Sequence, residues 1–150
     1  MRIVAISEKE CSELLKRVSV GRLACSLDDQ PYIVPVAFSY EPNSIFIFST
    51  FGKKIEWMRQ NPKVCLQADE ISGRSNWTSV IAIGSYVELS GAQYAAQMEY
   101  AKEQLAQYSE WWMNPLAERR EQTSDSSIEP VFFRIDIASM SGLCATPEAG

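Results

Sequence analysis

Runs of β-branched and aromatic residues, each bounded by a turn sequence, constrain this chain more than any other feature. Residues 22–26, 32–40 and 45–49 follow one another with only Asp28-Asp29-Gln30 and Glu41-Pro42-Asn43 between them. Turn signals that close read as an antiparallel meander. Residues 64–68, 77–89 and 131–137 supply three further strands. The stretch from Trp77 is so long that it must bend, and Gly84 in its middle is the expected corner. Six strands with few helices predict a mainly β (α+β) fold, a small antiparallel barrel with flanking helices rather than a parallel sheet.

Three segments carry the helical period instead. Ser7 with Glu10 forms a capping-box pattern ahead of Cys11, Leu14, Leu15 and Val18, which predicts a helix over 8–17. Residues 52–60 read as a short helix stopped by Asn61-Pro62, because a residue before proline avoids the helical region. Tyr94, Met98, Ala101, Leu105 and Tyr108 step by four and three, the spacing of a helix laying one stripe on the sheet, with Trp112 on its continuation. Residues 72–76 read as a polar link and 119–129 as an exposed loop. A chain of 150 residues fits one domain, 1–150, and can fold without a disulfide or structural metal.

Composition removes whole classes of chemistry. Histidine is absent, which excludes Ser-His-Asp and Cys-His pairs, imidazole-bound zinc and an imidazole-held haem. Cys11, Cys25, Cys65 and Cys144 include no Cys-x-x-Cys pair and read as reduced core residues. A formal charge of -5 lacks the field of a nucleic-acid binder or a polybasic membrane anchor, so an anionic ligand would need a local basic pocket. No apolar run nears the roughly 18 residues of a membrane span, and residues 1–7 carry no export signal, so no membrane partner and a cytoplasmic location are expected.

The segment Phe48-Ser49-Thr50-Phe51-Gly52-Lys53-Lys54 puts two hydroxyls at a strand end and two lysines in a first helical turn. Cations there oppose the helix dipole, so Ser49, Thr50, Lys53 and Lys54 make better sense around a phosphate. The alternative is that both lysines simply solvate the helix start. Pro35 interrupts a run that otherwise reads as a central strand, so a break in the ladder is expected, freeing backbone groups near Val34, Val36 and Ala37 for a planar ligand; an edge strand or bulge is the other reading. Trp77-Thr78-Ser79 could wall a pocket or belong to the core. Trp111-Trp112 could cap a ligand, pack the core or meet a partner subunit. No carboxylate pair is spaced for acid–base work, and no catalytic residue is assigned.

Taken in order, these blocks resemble the flavin mononucleotide (FMN)-binding split-barrel family related to pyridoxamine 5′-phosphate oxidase. The likeness lies in Gly21-Arg22-Leu23-Ala24 with Gln30 through Val36, in Ile45 through Lys54-Ile55 to Asn61-Pro62-Lys63-Val64, and in Trp77 to Val87. A weaker echo is Val131-Phe132-Phe133-Arg134-Ile135 with Ser141-Gly142. The short, nitroimidazole-resistance-like members are the most similar. The resemblance implies a homodimeric six-stranded split barrel with FMN in grooves between subunits. It places Ser49, Thr50, Lys53 and Lys54 at the phosphate and ribityl chain, Pro35 and Val36 beside the isoalloxazine ring, and Ser79 and Trp77 at a flavin-contacting position. It also implies electron transfer from a reduced nicotinamide to a small acceptor, with a non-catalytic flavin holder or a binder of another phosphorylated cofactor, such as a deazaflavin, as alternatives. A dimeric interaction domain without ligand is a further one. Vitamin B6 oxidation is not expected: residues 34–38 lack the oxidase's basic strand motif, and no tryptophan and arginine set follows Arg134.

Overall fold

The computed structural model describes residues 1–106 and 130–148. Among these residues seven strands and three α-helices follow one another as β1 (Arg2–Ile6), α1 (Glu8–Arg17), β2 (Val20–Leu27), β3 (Gln30–Glu41), β4 (Ser44–Thr50), α2 (Lys53–Gln60), β5 (Lys63–Gly73), β6 (Asn76–Glu88), α3 (Ala95–Ala106) and β7 (Pro130–Thr146). A single 3₁₀ turn, Ala92–Tyr94, leads into α3. The expected loop over 119–129, together with Tyr108, Trp111 and Trp112, lies outside the described residues.

All strand pairings are antiparallel, in the order β1-β7-β4-β3-β2-β5-β6, and a further pairing of β6 with β7 closes the six strands β2 to β7 into a barrel. The strand absent from the expectation is β1, which pairs with residues 142–146 of β7 beyond the point where β4 leaves it. Its sequence, Arg-Ile-Val-Ala-Ile, is rich in β-branched residues and could have been found by that signal alone. The link expected at 72–76 is tighter than its polarity implied: Ser72, Gly73 and Asn76 belong to strands and only Arg74-Ser75 turns.

Period-two alternation separates the two faces of the wall. Leu23, Cys25, Val36, Phe38, Ile45, Ile47, Leu66, Ala68, Val80, Ala82, Phe133 and Ile135 point inward and form the main core with Leu14 and Leu15 of α1 and Ile55 and Met58 of α2. The capping box at Ser7 and Glu10 is made as expected. Leu105 and Ala101 of α3 lie on a second, outer cluster with Phe46, Phe48, Leu89 and Phe132, while Tyr94 and Met98 border it, which is the stripe that the spacing predicted. Cys11 and Cys25 are core residues, but Cys65 and Cys144 are only half-buried; all four thiols are free. No helix among the described residues is long and apolar enough to cross a membrane.

Candidate functional site

At the open end of β4, Ser49 is buried and donates its hydroxyl to the carbonyl of Thr50 at 3.1 Å, while Thr50 pairs with Pro130 of β7. Two residues later α2 begins. Its N-cap, Gly52, offers no side chain to the first-turn amides, and a Cβ there would meet nothing within 4 Å, so the helix start faces open space with its donors uncapped. The far end of α2 is tied down as Asn61-Pro62 predicted: Asn61 N–H donates to Trp57 O, and its amide donates to Ser26 O on β2 at 3.0 Å.

The two lysines diverge. Lys53 is exposed and places its ammonium 5.6 Å from the Tyr32 ring and 5.5 Å from the Trp57 ring. Lys54 is half-buried and turned toward Cys25 of β2. Desolvation holds its ammonium below the usual lysine value, and the Cys25 thiol opposes this only in part; burial in turn pushes Cys25 up. Among the described residues Lys54 has no carboxylate and no hydrogen bond. Burying a cation without a counter-charge is unfavourable, and an arriving anion would relieve it.

Pro35 does not break the ladder. The β2–β3 register runs through it without interruption, Gly21↔Val36, Arg22↔Pro35 and Leu23↔Val34. The N–H of Phe38 donates to Ser19 O, so even-numbered residues of β3 turn their backbone polar groups toward β2 and odd-numbered ones turn away. Pro35 thus lacks a donor only on the edge of residues 30–37 that no described strand covers. Of the groups expected to be free, Val34 and Val36 are engaged with β2, the Val36 side chain lies in the core, and the open edge belongs to Ile33, Pro35 and Ala37.

Trp77 and Ser79 lie on the outer face of β6 with Ile81 and Ile83. Register sets Pro35, Arg22, Gln67 and Ile81 abreast across four strands, with Asp69 and Ser79 one step further. Here sequence reasoning missed three residues. Gln67 donates to Ser79 Oγ at 3.0 Å and to Asp69 Oδ2 at 2.8 Å, and Arg22 donates to Asp69 Oδ1 at 3.1 Å. The alternation Cys65-Leu66-Gln67-Ala68-Asp69 carries both polar residues on one face and was the available signal.

The expected site residues therefore form two groups on one chain: Ser49, Thr50, Lys53 and Lys54 at the α2 end, and Pro35, Trp77 and Ser79 on the outer face. Lys54 sits at the level of Cys25, one residue beyond the last β2–β5 pair, Ala24↔Cys65, whereas Ser79 pairs with Asp69. Along the strand that is about 17 Å at the usual rise per residue. Between the groups the outer face is apolar: Ala24, Pro31, Cys65, Ile81 and Ile83 line a shallow groove of about 380 Å³, and Ile33 and Ile83 are 63% and 52% exposed.

The pyridoxamine 5′-phosphate oxidase family model matches residues 7–143. An uncharacterized protein of Rhizobium meliloti is 34% identical over 146 residues, covering 97% of each chain. Among solved structures, an FAD-binding protein from Mesorhizobium loti is 39% identical, with a TM-score of 0.81 over 97% of this chain and 100% of that one. The FAD-binding protein of Mycobacterium smegmatis shares the fold at 20% identity and a TM-score of 0.64, over 93% of this chain and 97% of that one.

Proposed function

The chain belongs to the pyridoxamine 5′-phosphate oxidase family, and from that membership we propose that it holds a phosphorylated flavin and works as a flavin-dependent oxidoreductase. The observation that carries this reading is Lys54, a half-buried cation with no counter-charge among the described residues, in the first turn of the uncapped helix α2 that follows Ser49 and Thr50. An ammonium and free backbone N–H groups in one helical turn suit a phosphate ester, and the Ser49 hydroxyl would have to leave the Thr50 carbonyl to join them. FMN would present that phosphate as a terminal dianion and FAD as a diphosphate; the 39% identical FAD-binding protein of M. loti keeps both in view.

The phosphate donors and the Ser79 band stand about 17 Å apart along the wall, and in this proposal they serve one flavin from different copies. A second copy laid across the apolar outer face, over Ile33, Ile81 and Ile83, brings its own band to the first copy's phosphate donors, so the working unit we propose is a homodimer.

A bound flavin supplies hydride and electron transfer, here between a reduced nicotinamide and a small acceptor. The chain's residues anchor the phosphate at Lys54, Ser49 and Thr50, offer hydrogen bonds to the ring from the outer face and exclude water with Ile81 and Ile83. The complete lack of histidine supports a second reading, a flavin holder without turnover, since no imidazole can move a proton beside the ring. The test is to purify the chain, record its visible spectrum and identify any released cofactor by mass spectrometry. About one FMN or FAD per chain, bleached anaerobically by a reduced nicotinamide, is the expected result. A colourless protein that takes up neither flavin would overturn it, and a yellow one that resists bleaching would leave the holder.

A further inference from the structure

The polar band on the outer face runs in one direction only. Arg22 Nη1 donates to Asp69 Oδ1, and the other Asp69 oxygen accepts from Gln67 Nε2. The same nitrogen donates to Ser79 Oγ, so both hydrogens of the Gln67 amide are used. A carboxylate can only accept, which fixes the nitrogen side of the amide toward Asp69 and Ser79. Within the protein Ser79 is therefore an acceptor. Its own hydrogen remains, and no described side chain takes it. Along β6 the neighbours of Ser79 on that face are the apolar Trp77 and Ile81, while across the strands it faces Asp69 of β5 and Leu143 of β7.

We propose that Arg22, Asp69 and Gln67 form a relay that holds Ser79 as an obligate hydrogen-bond donor to an acceptor atom on the edge of the bound flavin ring. Gln67 is a positioning residue in this scheme and touches no ligand. The inference rests on the flavin reading above. A donor at the ring edge is bonded more strongly when the ring carries the charge of reduction, so it raises the flavin's reduction potential.

The test uses the full chain loaded with flavin. Ser79→Ala removes the donor. Gln67→Glu keeps the shape but turns the bond: beside Asp69 the two carboxyl groups share one proton, and the free acceptor at position 67 draws the Ser79 hydrogen inward. Each should weaken flavin binding roughly fivefold, the loss of one hydrogen bond, and lower the potential of the bound flavin. Introduced into Ser79→Ala, Gln67→Glu should add little to either value, since no hydroxyl remains to turn. Ser79→Thr should retain both, and unchanged thermal melting of the ligand-free variants separates the effect from misfolding. An equal effect of Gln67→Glu in both backgrounds would mean that its charge acts directly on the ring, and the relay would be wrong. No effect of Ser79→Ala on a chain that still binds flavin would overturn the relay alone, whereas a parent chain that binds no flavin would overturn the reading beneath it as well.

Discussion

Gly84 of β6 lies against the main chain of Asp136 in β7, so closely that a Cβ at Gly84 would stand 2.1 Å from the Asp136 carbonyl oxygen. At this point the β6–β7 register slips, from Ile83↔Ser139 to Gly84↔Ile137, leaving Ala138 as an extra residue on β7. The slip bends both strands and lets them close the barrel, while β4 takes one part of β7 and β1 the other.

Gly84→Ala should therefore be among the most damaging small substitutions in the chain. The obstructing atom is backbone and cannot swing aside, so the cost is expected at roughly 3 kcal/mol or more, the upper end for overpacking. Urea denaturation measures it; a loss below about 1 kcal/mol would mean that the two strands separate easily there.

Lys54 and Lys53, adjacent in sequence, should separate in effect. Lys54→Met keeps most of the packing and removes the charge, and flavin affinity should fall at least tenfold, the scale of a hydrogen bond to a charged group. Lys53→Ala should cost less, because that ammonium rests over Tyr32 and Trp57. Titration with FMN and FAD checks both; a larger loss at Lys53 would move the phosphate outward.

The same lysine predicts a pH signature in the ligand-free chain. Its folded value lies below the ordinary 10.5, so the unfolded chain binds more protons and stability rises with pH across the window just below 10.5. The thiols of Cys11, Cys25 and Cys65, raised above 9.0 by burial, act oppositely in that range. The Lys54 contribution is read as the difference between the parent and Lys54→Met: the parent should gain on the variant as pH rises. A difference that stays flat up to pH 10.5 would show that Lys54 is well solvated.

Much of this fold was written in local pattern. The capping box at Ser7, the Asn61-Pro62 stop and the corner at Gly84 each depend on neighbours or on one backbone feature, so sequence shows them directly. Pro35 misled because a proline shows that a donor is missing but not which edge it is missing from; the answer lay in the β2 register. Likewise the local pattern treats Lys53 and Lys54 alike, and only the family resemblance favours Lys54; Tyr32 and Trp57 on one side and Cys25 on the other draw them apart. The Gln67 network was legible only in half: alternation gives the face, but its partners Arg22 and Ser79 come from other strands.

The acid limb of stability should be set in part by Glu88. Burial pushes its carboxyl up, but the two bonds from Arg59 and the one from Tyr86 outweigh this and hold it below the usual 4.5. A lowered value means that its contribution is complete above 4.5 and is lost as pH falls below it. Glu88→Gln should cost roughly 1–2 kcal/mol at pH 7 and flatten the decline between pH 4.5 and 3. Equal acid limbs in parent and variant would remove Glu88 from the account.

The outer face gives the last prediction. Ile83 is 52% exposed yet lies abreast of Cys65, Ala24 and Ile33 in one apolar row across four strands. In a monomer Ile83→Glu would face water and change stability by no more than about 0.5 kcal/mol, as surface substitutions do. Across an interface between two copies the same carboxylate would be desolvated without a partner, a penalty large enough to split the dimer. Sedimentation equilibrium should therefore show a dimer for the parent and a monomer for Ile83→Glu, and the variant should lose flavin while Lys54 is untouched. Loss of flavin from a variant that stays dimeric would show that Ile83 acts on the flavin alone and not on the interface. A parent that is monomeric with flavin bound would show that one chain completes the site without a second.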